Sequence, residues 1–132
     1  MAQFQIRRKQ VACTPTAVAG AQTWSIAIKK GERLHFGSMQ RAVAAAGSTT
    51  STFDVRVSAA AGGQAAGVLA ATDTEGAVGS IVDGVGADLA NAGGFLATAD
   101  GTIDVTYTPG ATPGATVPSA RFTFGVSRAF PY

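Results

Sequence analysis

The chain has 132 residues, of which 46% are hydrophobic, and it carries a formal net charge of +2. This length fits one domain over residues 1–132, which can bury roughly two-thirds of the surface that the unfolded chain exposes. A lone cysteine excludes an intrachain disulfide, and no apolar run approaches the ~18 residues of a membrane span. The basic start of the chain lacks the apolar segment of a signal peptide, so we expect the protein to be made in a cytoplasm.

In the first half of the chain, apolar and polar residues alternate over several segments. A period of two places one set of side chains on one face of a strand. Residues 4–13 alternate imperfectly and are polar, which predicts either an edge strand or an extended N-terminal arm over 1–13. Further strands are predicted over 24–29, around Leu34 and Phe36 with a continuation to Val43, and over 52–58.

The second half begins with a glycine-rich segment, residues 59–94, for which we expect loops and short strands, with a strand or helical turn at 68–71 and a helical turn at 88–91. Asp100-Gly101 is a turn signal before a predicted strand over 102–108. A Pro-Gly-Ala-Thr repeat then predicts an exposed loop. The final predicted strand covers residues 120–127, and 128–132 form a tail.

Short strands at this spacing, with almost no helical period, predict an all-β protein. We expect an antiparallel β-sandwich or a jelly-roll-like barrel, with long Gly/Ala-rich loops and an extended N-terminal arm. Many of the hydrophobic residues are alanine, and large apolar side chains are few. The sequence therefore predicts a thin two-layer core, completed by contacts with a neighbouring molecule.

The sequence offers little for catalysis, and we predict no catalytic, cofactor-binding or metal-binding residues. Cys13 and His35 are the only thiol and imidazole, and no orienting third group accompanies them. The carboxylates near Asp73, Asp83 and Asp100 lack the spacing of a calcium loop, and Asp-Gly is foremost a turn dipeptide. The glycine-rich stretches lack the lysine of a phosphate loop.

Charge is unevenly distributed along the chain. Residues 1–56 hold eight basic and two acidic side chains, whereas residues 57–132 hold two basic and six acidic ones. This pattern has two interpretations: a basic surface that meets an acidic partner, or two halves whose charges mix on a solvated surface. The short basic run at residues 7–9 has no stacking aromatics around it, so nucleic-acid binding is not predicted.

The two termini are the best candidates for contact with a partner. Aromatic residues and arginine are enriched at the energetic centres of protein interfaces. Such residues, together with neighbouring apolar and basic ones, stand near both ends of the chain, where they are poorly placed for the core. The predicted partner-binding residues are Phe4, Ile6, Arg7, Arg8, Lys9, Phe130 and Tyr132.

Four segments carry a resemblance to a protein class: 52–57 (TFDVRV), 66–73, 95–107, which contains TADGTIDVT, and 122–126. In these the chain resembles the small virion structural proteins of tailed bacteriophages, of the capsid decoration (cement) type. It departs from that pattern at Arg56 and Gly125, where a neutral or bulkier residue is expected. The resemblance implies a β-sandwich or jelly-roll module, commonly a homotrimer, that clamps capsid subunits together, and it transfers no catalytic residues.

The function that we expect is therefore non-enzymatic: decoration and stabilisation of a capsid by bridging neighbouring copies of the major capsid protein, on the virion surface, with no cofactor, nucleic acid or membrane. The alternative within the same particle is a fibre-tip or receptor-binding module for a host glycan, which would use exposed aromatics such as Trp24. A small hydrolase that uses Asp83, Asp88 or Asp104 is the alternative from another class.

Overall fold

A computed structural model describes residues 6–16, 20–43, 51–74, 77–90, 93–110 and 116–128. Nine strands account for most of these residues, and the only helices among them are two short 3₁₀ turns, Ala59–Ala61 and Ala87–Leu89. The strands are β1 (Ile6–Cys13), β2 (Gln22–Ile28), β3 (Glu32–Val43), β4 (Thr52–Val57), β5 (Leu69–Asp73), β6 (Ile81–Asp83), β7 (Phe95–Leu96), β8 (Gly101–Thr108) and β9 (Ser119–Arg128).

The strands form two antiparallel sheets packed face to face, which confirms the predicted β-sandwich. Sheet A has the order β1-β9-β3-β6, and β7 also pairs with β3. Sheet B has the order β2-β8-β4-β5. Residues 6–13 lie in sheet A as its edge strand β1, paired along their whole length with β9. In this part of the chain the structure thus has the edge strand, not the extended arm.

The core lies between the sheets and is built mainly from the alternating residues of β3, β4, β8 and β9. In β4 and β8 every second side chain is buried, as the period of two predicts. An aromatic cluster joins the two layers: Phe53 of sheet B contacts Phe122 of sheet A, with 5.4 Å between ring centroids, and Tyr107 of its own sheet at 5.5 Å. These three rings are all at most 1% exposed.

One prediction of side-chain direction is wrong. The sequence places Leu34 and Phe36 on one face of a strand, but a β-bulge at His35 lies between them in the pairing of β3 with β9. A bulge adds one residue to one strand and reverses the alternation beyond it. Leu34 is therefore fully buried, whereas Phe36 lies on the outer face of sheet A and is 37% exposed.

The bulge explains the unexpected glycine in β9. Gly125 pairs with Phe36, and a Cβ atom at position 125 would overlap the Phe36 ring. The glycine thus leaves room for an aromatic ring to lie flat on the sheet, an arrangement known to compensate for a glycine within a strand. The other departure, Arg56, is satisfied locally, because its guanidinium donates to the carbonyl oxygens of Val57 and Gly63.

The glycine-rich middle of the chain forms short strands and a close crossing of two loops. Residues 69–73 form strand β5, so the strand alternative for this region is the correct one, and the predicted helical turn near Asp88 is a 3₁₀ turn. In the crossing, Gly86 N–H donates to Val68 O and Asp88 N–H to Gly67 O. A Cβ at Gly86 would overlap the Gly67 backbone, so glycine is required here.

Candidate interaction surfaces

Three of the predicted partner-binding residues lie on the exposed edge of sheet A. Ile6, Arg7 and Arg8 begin β1 and are all exposed, and Ile6 is 49% exposed although it is apolar. Within the part of the chain that the structure describes, their strand pairs with β9 alone. The structure therefore displays these side chains together with one free strand edge. Phe4, Phe130 and Tyr132 lie outside the described residues.

Lys9, the fourth of these residues, is engaged within the protein. Its Nζ donates to the carbonyl oxygen of Ala27 at 2.9 Å and lies 3.9 Å from the Glu32 carboxylate. The side chain thereby ties β1 of sheet A to β2 of sheet B. Its contacts are structural, and a direct role in partner binding stays a prediction.

A second basic side chain closes the opposite side of the sandwich in the same manner. Arg41 of β3 donates from Nε and Nη2 to the carbonyl oxygen of Asp73, in β5, at 3.0 and 2.7 Å, and from Nη1 to Ser80 Oγ. Lys9 and Arg41 thus lie at opposite sides of the sandwich, and each donates from sheet A to a backbone carbonyl oxygen of sheet B.

The outer face of sheet A combines basic and apolar side chains, and we call it the basic face. The alternation of β1 and β9 directs Arg8 and Arg121 outward, and Phe36 lies over Gly125, the residue that pairs with Arg8. Leu96 and Ile81, at the β6 and β7 edge, are 44% and 63% exposed. The members of the basic face are Ile6, Arg8, Arg33, His35, Phe36, Ile81, Leu96 and Arg121.

The outer face of sheet B carries hydroxyls and carboxylates, and we call it the hydroxyl face. Asp104 accepts hydrogen bonds from Ser25 and Thr102, each at 2.7 Å, and Thr23 bonds to Thr106 across the same strand pair. Burial raises the pKa of the Asp54 carboxyl on this face, and the nearby Arg56 partly opposes the rise. Among the described residues, this surface holds no large apolar side chain.

The structure shows where the unevenly distributed charges of the sequence lie. Strands from both halves of the chain alternate within each sheet, so the charges are not divided according to sequence half. Most of the outward arginines, Arg8, Arg33 and Arg121, lie on the outside of sheet A, where Asp83 is the carboxylate. The outside of sheet B carries Asp54 and Asp104 with Arg56. The molecule therefore presents two chemically different surfaces to its surroundings.

The structure separates the only thiol from the only imidazole. Cys13 is fully buried in the core, where burial raises the pKa of its thiol to about 12. His35 lies at the bulge, on the outer face, with its Nε2 hydrogen-bonded to Ser127 Oγ. A thiolate nucleophile activated by this histidine is excluded by that geometry.

We expect Cys13 to react with iodoacetamide at pH 8 at least ~100-fold more slowly in the folded protein than in urea, because the thiolate is the reactive form. Between the ordinary pKa of 9.0 and about 12 the folded state holds a proton that the unfolded state has lost. Stability should therefore fall with rising pH across this window, and more steeply in the wild type than in Cys13→Ala. Equal alkylation rates in buffer and in urea would contradict the prediction.

The carboxylates considered for catalysis are dispersed and have structural partners. Asp88 is buried and accepts from the backbone and side-chain amides of Gln64, Asp104 has its hydroxyl donors, and Asp83 lies exposed on the β6 edge. Within the described ranges no three His, Cys, Asp or Glu side chains come together to hold a metal ion. In the same part of the chain, no helix is long and apolar enough to cross a membrane.

Trp24 does not form the displayed aromatic platform that a glycan site would need. It is half-buried and packs against Phe53 on the inner side of sheet B, with 6.3 Å between ring centroids. Phe36 is an exposed aromatic ring, although the alternation of the sequence predicts that it shares a face with the buried Leu34. The bulged residue His35 causes this reversal of the Phe36 side chain, and no local sequence motif predicts the bulge.

Comparison with known proteins gives one informative result, and it concerns the fold. No protein-family model matches the sequence, and no curated protein matches it either. Among solved structures, the chain is similar to a chain of the "Cyanophage Pam1 capsid asymmetric unit", with a TM-score of 0.62 and 14% sequence identity. The match covers 96% of this chain and 86% of the cyanophage chain, so the shared fold extends over nearly the whole molecule.

Proposed function

We propose that the protein is a structural component of a phage particle, which decorates and stabilises the capsid by bridging neighbouring copies of the major capsid protein. In this proposal it acts as a homotrimer on the capsid surface of the virion, is made in the host cytoplasm, and uses no cofactor, nucleic acid or membrane. The observation that carries the proposal is the shared fold with a chain of the cyanophage capsid unit over 96% of this chain.

The surface chemistry supports a role in binding protein. The basic face offers exposed apolar side chains beside arginines, which is the combination that stabilises protein interfaces. Each copy would contribute a modest contact, and repetition by symmetry would make the attachment persistent.

The contact that we assign to the capsid begins with the exposed start of β1. Arg7, which lies on the opposite face of β1 from Ile6 and Arg8, would meet an acidic patch of the shell. Ile6 would serve the contact between copies, and Phe4, Phe130 and Tyr132 remain proposed members of either contact. Neither the glycan-binding nor the hydrolase alternative is favoured by a specific observation, because Trp24 is turned inward and the carboxylates are dispersed.

The direct test is to add the purified full-length protein to shells that lack it and to follow co-sedimentation, with cryo-electron microscopy of the sedimented particles. We expect saturable binding at a fixed number of sites and extra density between neighbouring shell subunits. Added protein should also raise the temperature at which the shells open. Absence of binding, or binding with no density at subunit junctions, would overturn the proposal.

Charge reversal by Arg7→Glu should weaken shell binding by about tenfold or more, because a carboxylate would then face the acidic patch. The matched control is Lys30→Glu, which reverses the charge of an exposed side chain in the turn between β2 and β3, outside the basic face. Lys30→Glu should leave binding within about threefold of the wild type. If both variants bind as the wild type does, Arg7 has no part in the contact.

A further inference from the structure

Sheet A has two free edges in the described structure, and they carry opposite charge. One is β1, whose exposed residues include Arg7 and Arg8. The other is the short strand β6, which carries Asp83 on the same outer face of the sheet. Unpaired strand edges attract further strands unless they are blocked.

The hydrogen-bond pattern shows which backbone groups are free on β6. Gly84 N–H donates to Gly37 O and Arg41 N–H donates to Ser80 O, on either side of the paired residues. Since bonded and non-bonded pairs alternate in an antiparallel ladder, Ile81 and Asp83 direct their N–H and C=O groups away from β3. By the same alternation, β1 directs the backbone groups of Ile6 and Arg8 away from β9.

The direction of the strands makes the two edges compatible. Along β1-β9-β3-β6 every neighbour is antiparallel, so β1 and β6 run in opposite directions. A second copy placed with its β1 against β6 therefore pairs antiparallel while its own basic face stays on the same side. Pairing of β1 with β1 would instead bring two basic strands together.

We propose that β1 of one copy pairs with β6 of the next, so that sheet A continues from copy to copy and closes into a ring of three. Placing Arg8 opposite Asp83 of the second copy also sets Ile6 opposite Val85, which is 85% exposed in the single chain. This register thus matches opposite charges and covers two exposed apolar side chains. The number of copies, three, rests on the proposed function. The new element is the contact between copies, the β1–β6 pairing, which we call the seam.

Charge exchange tests the register on the free protein, without shells. By native mass spectrometry and analytical ultracentrifugation, the wild type should form trimers, and Arg8→Asp or Asp83→Arg should each weaken association by about tenfold or more. The double variant Arg8→Asp/Asp83→Arg should return to within about threefold of the wild type. A monomeric wild type, unaffected single variants, or a double variant weaker than either single would overturn the proposal.

Cross-linking provides a second readout that does not depend on charge. Ile6→Cys/Val85→Cys should form intermolecular disulfides on oxidation, and the ladder on a non-reducing gel should end at three copies, because a heterologous contact must close to stop. Each single cysteine variant is the control and should not form the ladder. No cross-link, or a ladder that continues past three, would overturn the ring.

These outcomes are independent of the capsid assay, which varies Arg7 and not the seam. Shell binding by a protein that is not a β1–β6 trimer would overturn the seam and leave the proposed function in place. A trimer that has the β1–β6 seam but does not bind shells would overturn the proposed function and leave the seam in place. Circular dichroism of each variant shows that it is folded before its association is measured.

Discussion

Replacing Phe53 by alanine is expected to lower the free energy of unfolding by about 3–5 kcal/mol, which is the usual cost of removing a buried phenylalanine ring. The ring is 1% exposed and contacts aromatic rings on three sides: Trp24, Tyr107 and Phe122. Phe122 belongs to the facing sheet, so the substitution leaves a cavity where the two layers meet. Urea unfolding followed by tryptophan fluorescence would measure the loss, because Trp24 is the only indole.

The matched control is the same substitution at Phe36. That ring lies on the outer face of sheet A and is 37% exposed, so Phe36→Ala removes contact area without opening a cavity. We expect its cost to be below ~1.5 kcal/mol. Equal losses from the two substitutions would show that the aromatic cluster does not hold the sheets together as described.

The second large effect concerns the buried carboxylate of Asp88, which is 4% exposed. Its Oδ2 accepts from the backbone N–H of Gln64 at 3.0 Å, and its Oδ1 accepts from the Gln64 side-chain amide at 3.1 Å. Asp88→Ala removes both acceptors and leaves a backbone donor unpaired inside the loop crossing. We expect a loss of about 2–3 kcal/mol, since an unsatisfied buried group keeps its full desolvation cost.

Two variants separate this carboxylate from its surroundings. Gln64→Ala removes only the side-chain donor and should cost less than ~1.5 kcal/mol. Asp88→Asn keeps an oxygen acceptor for the Gln64 N–H and should fall between the wild type and Asp88→Ala. Hydrogen exchange at the amides of residues 64–68 would locate the effect. An Asp88→Ala protein with unchanged stability would show that the crossing is held by its backbone bonds alone.

The sequence predicts those parts of the fold in which alternation is local and uninterrupted. β4 and β8 have a strict period of two, so both their existence and their buried faces follow from the residues themselves. The exposure of Phe36 could not be predicted, because the bulge at His35 reverses the alternation partway along β3. The order of the strands depends on pairing between distant segments, and no local pattern specifies it.

For the candidate surfaces, the sequence predicts which residue types are exposed better than it predicts which side chains contact one another. The exposure of Ile6, Arg7 and Arg8 follows from a polar, imperfect strand pattern. The engagement of Lys9 with Ala27 and Glu32 depends on the approach of two sheet edges, so it requires the assembled fold. Likewise, the distribution of charge over the two outer faces becomes visible only when strands from both halves of the chain are interleaved.

The position of β9 also governs when this molecule can fold during its synthesis. β9 lies between β1 and β3, so both of these earlier strands lack their common neighbour until residues 119–128 have emerged from the ribosome. Until then β1 has no partner in sheet A. Its edge therefore stays open to incorrect pairing while more than a hundred further residues are translated. A polypeptide that stalls before β9 therefore cannot complete sheet A, and its early strands keep unpaired edges.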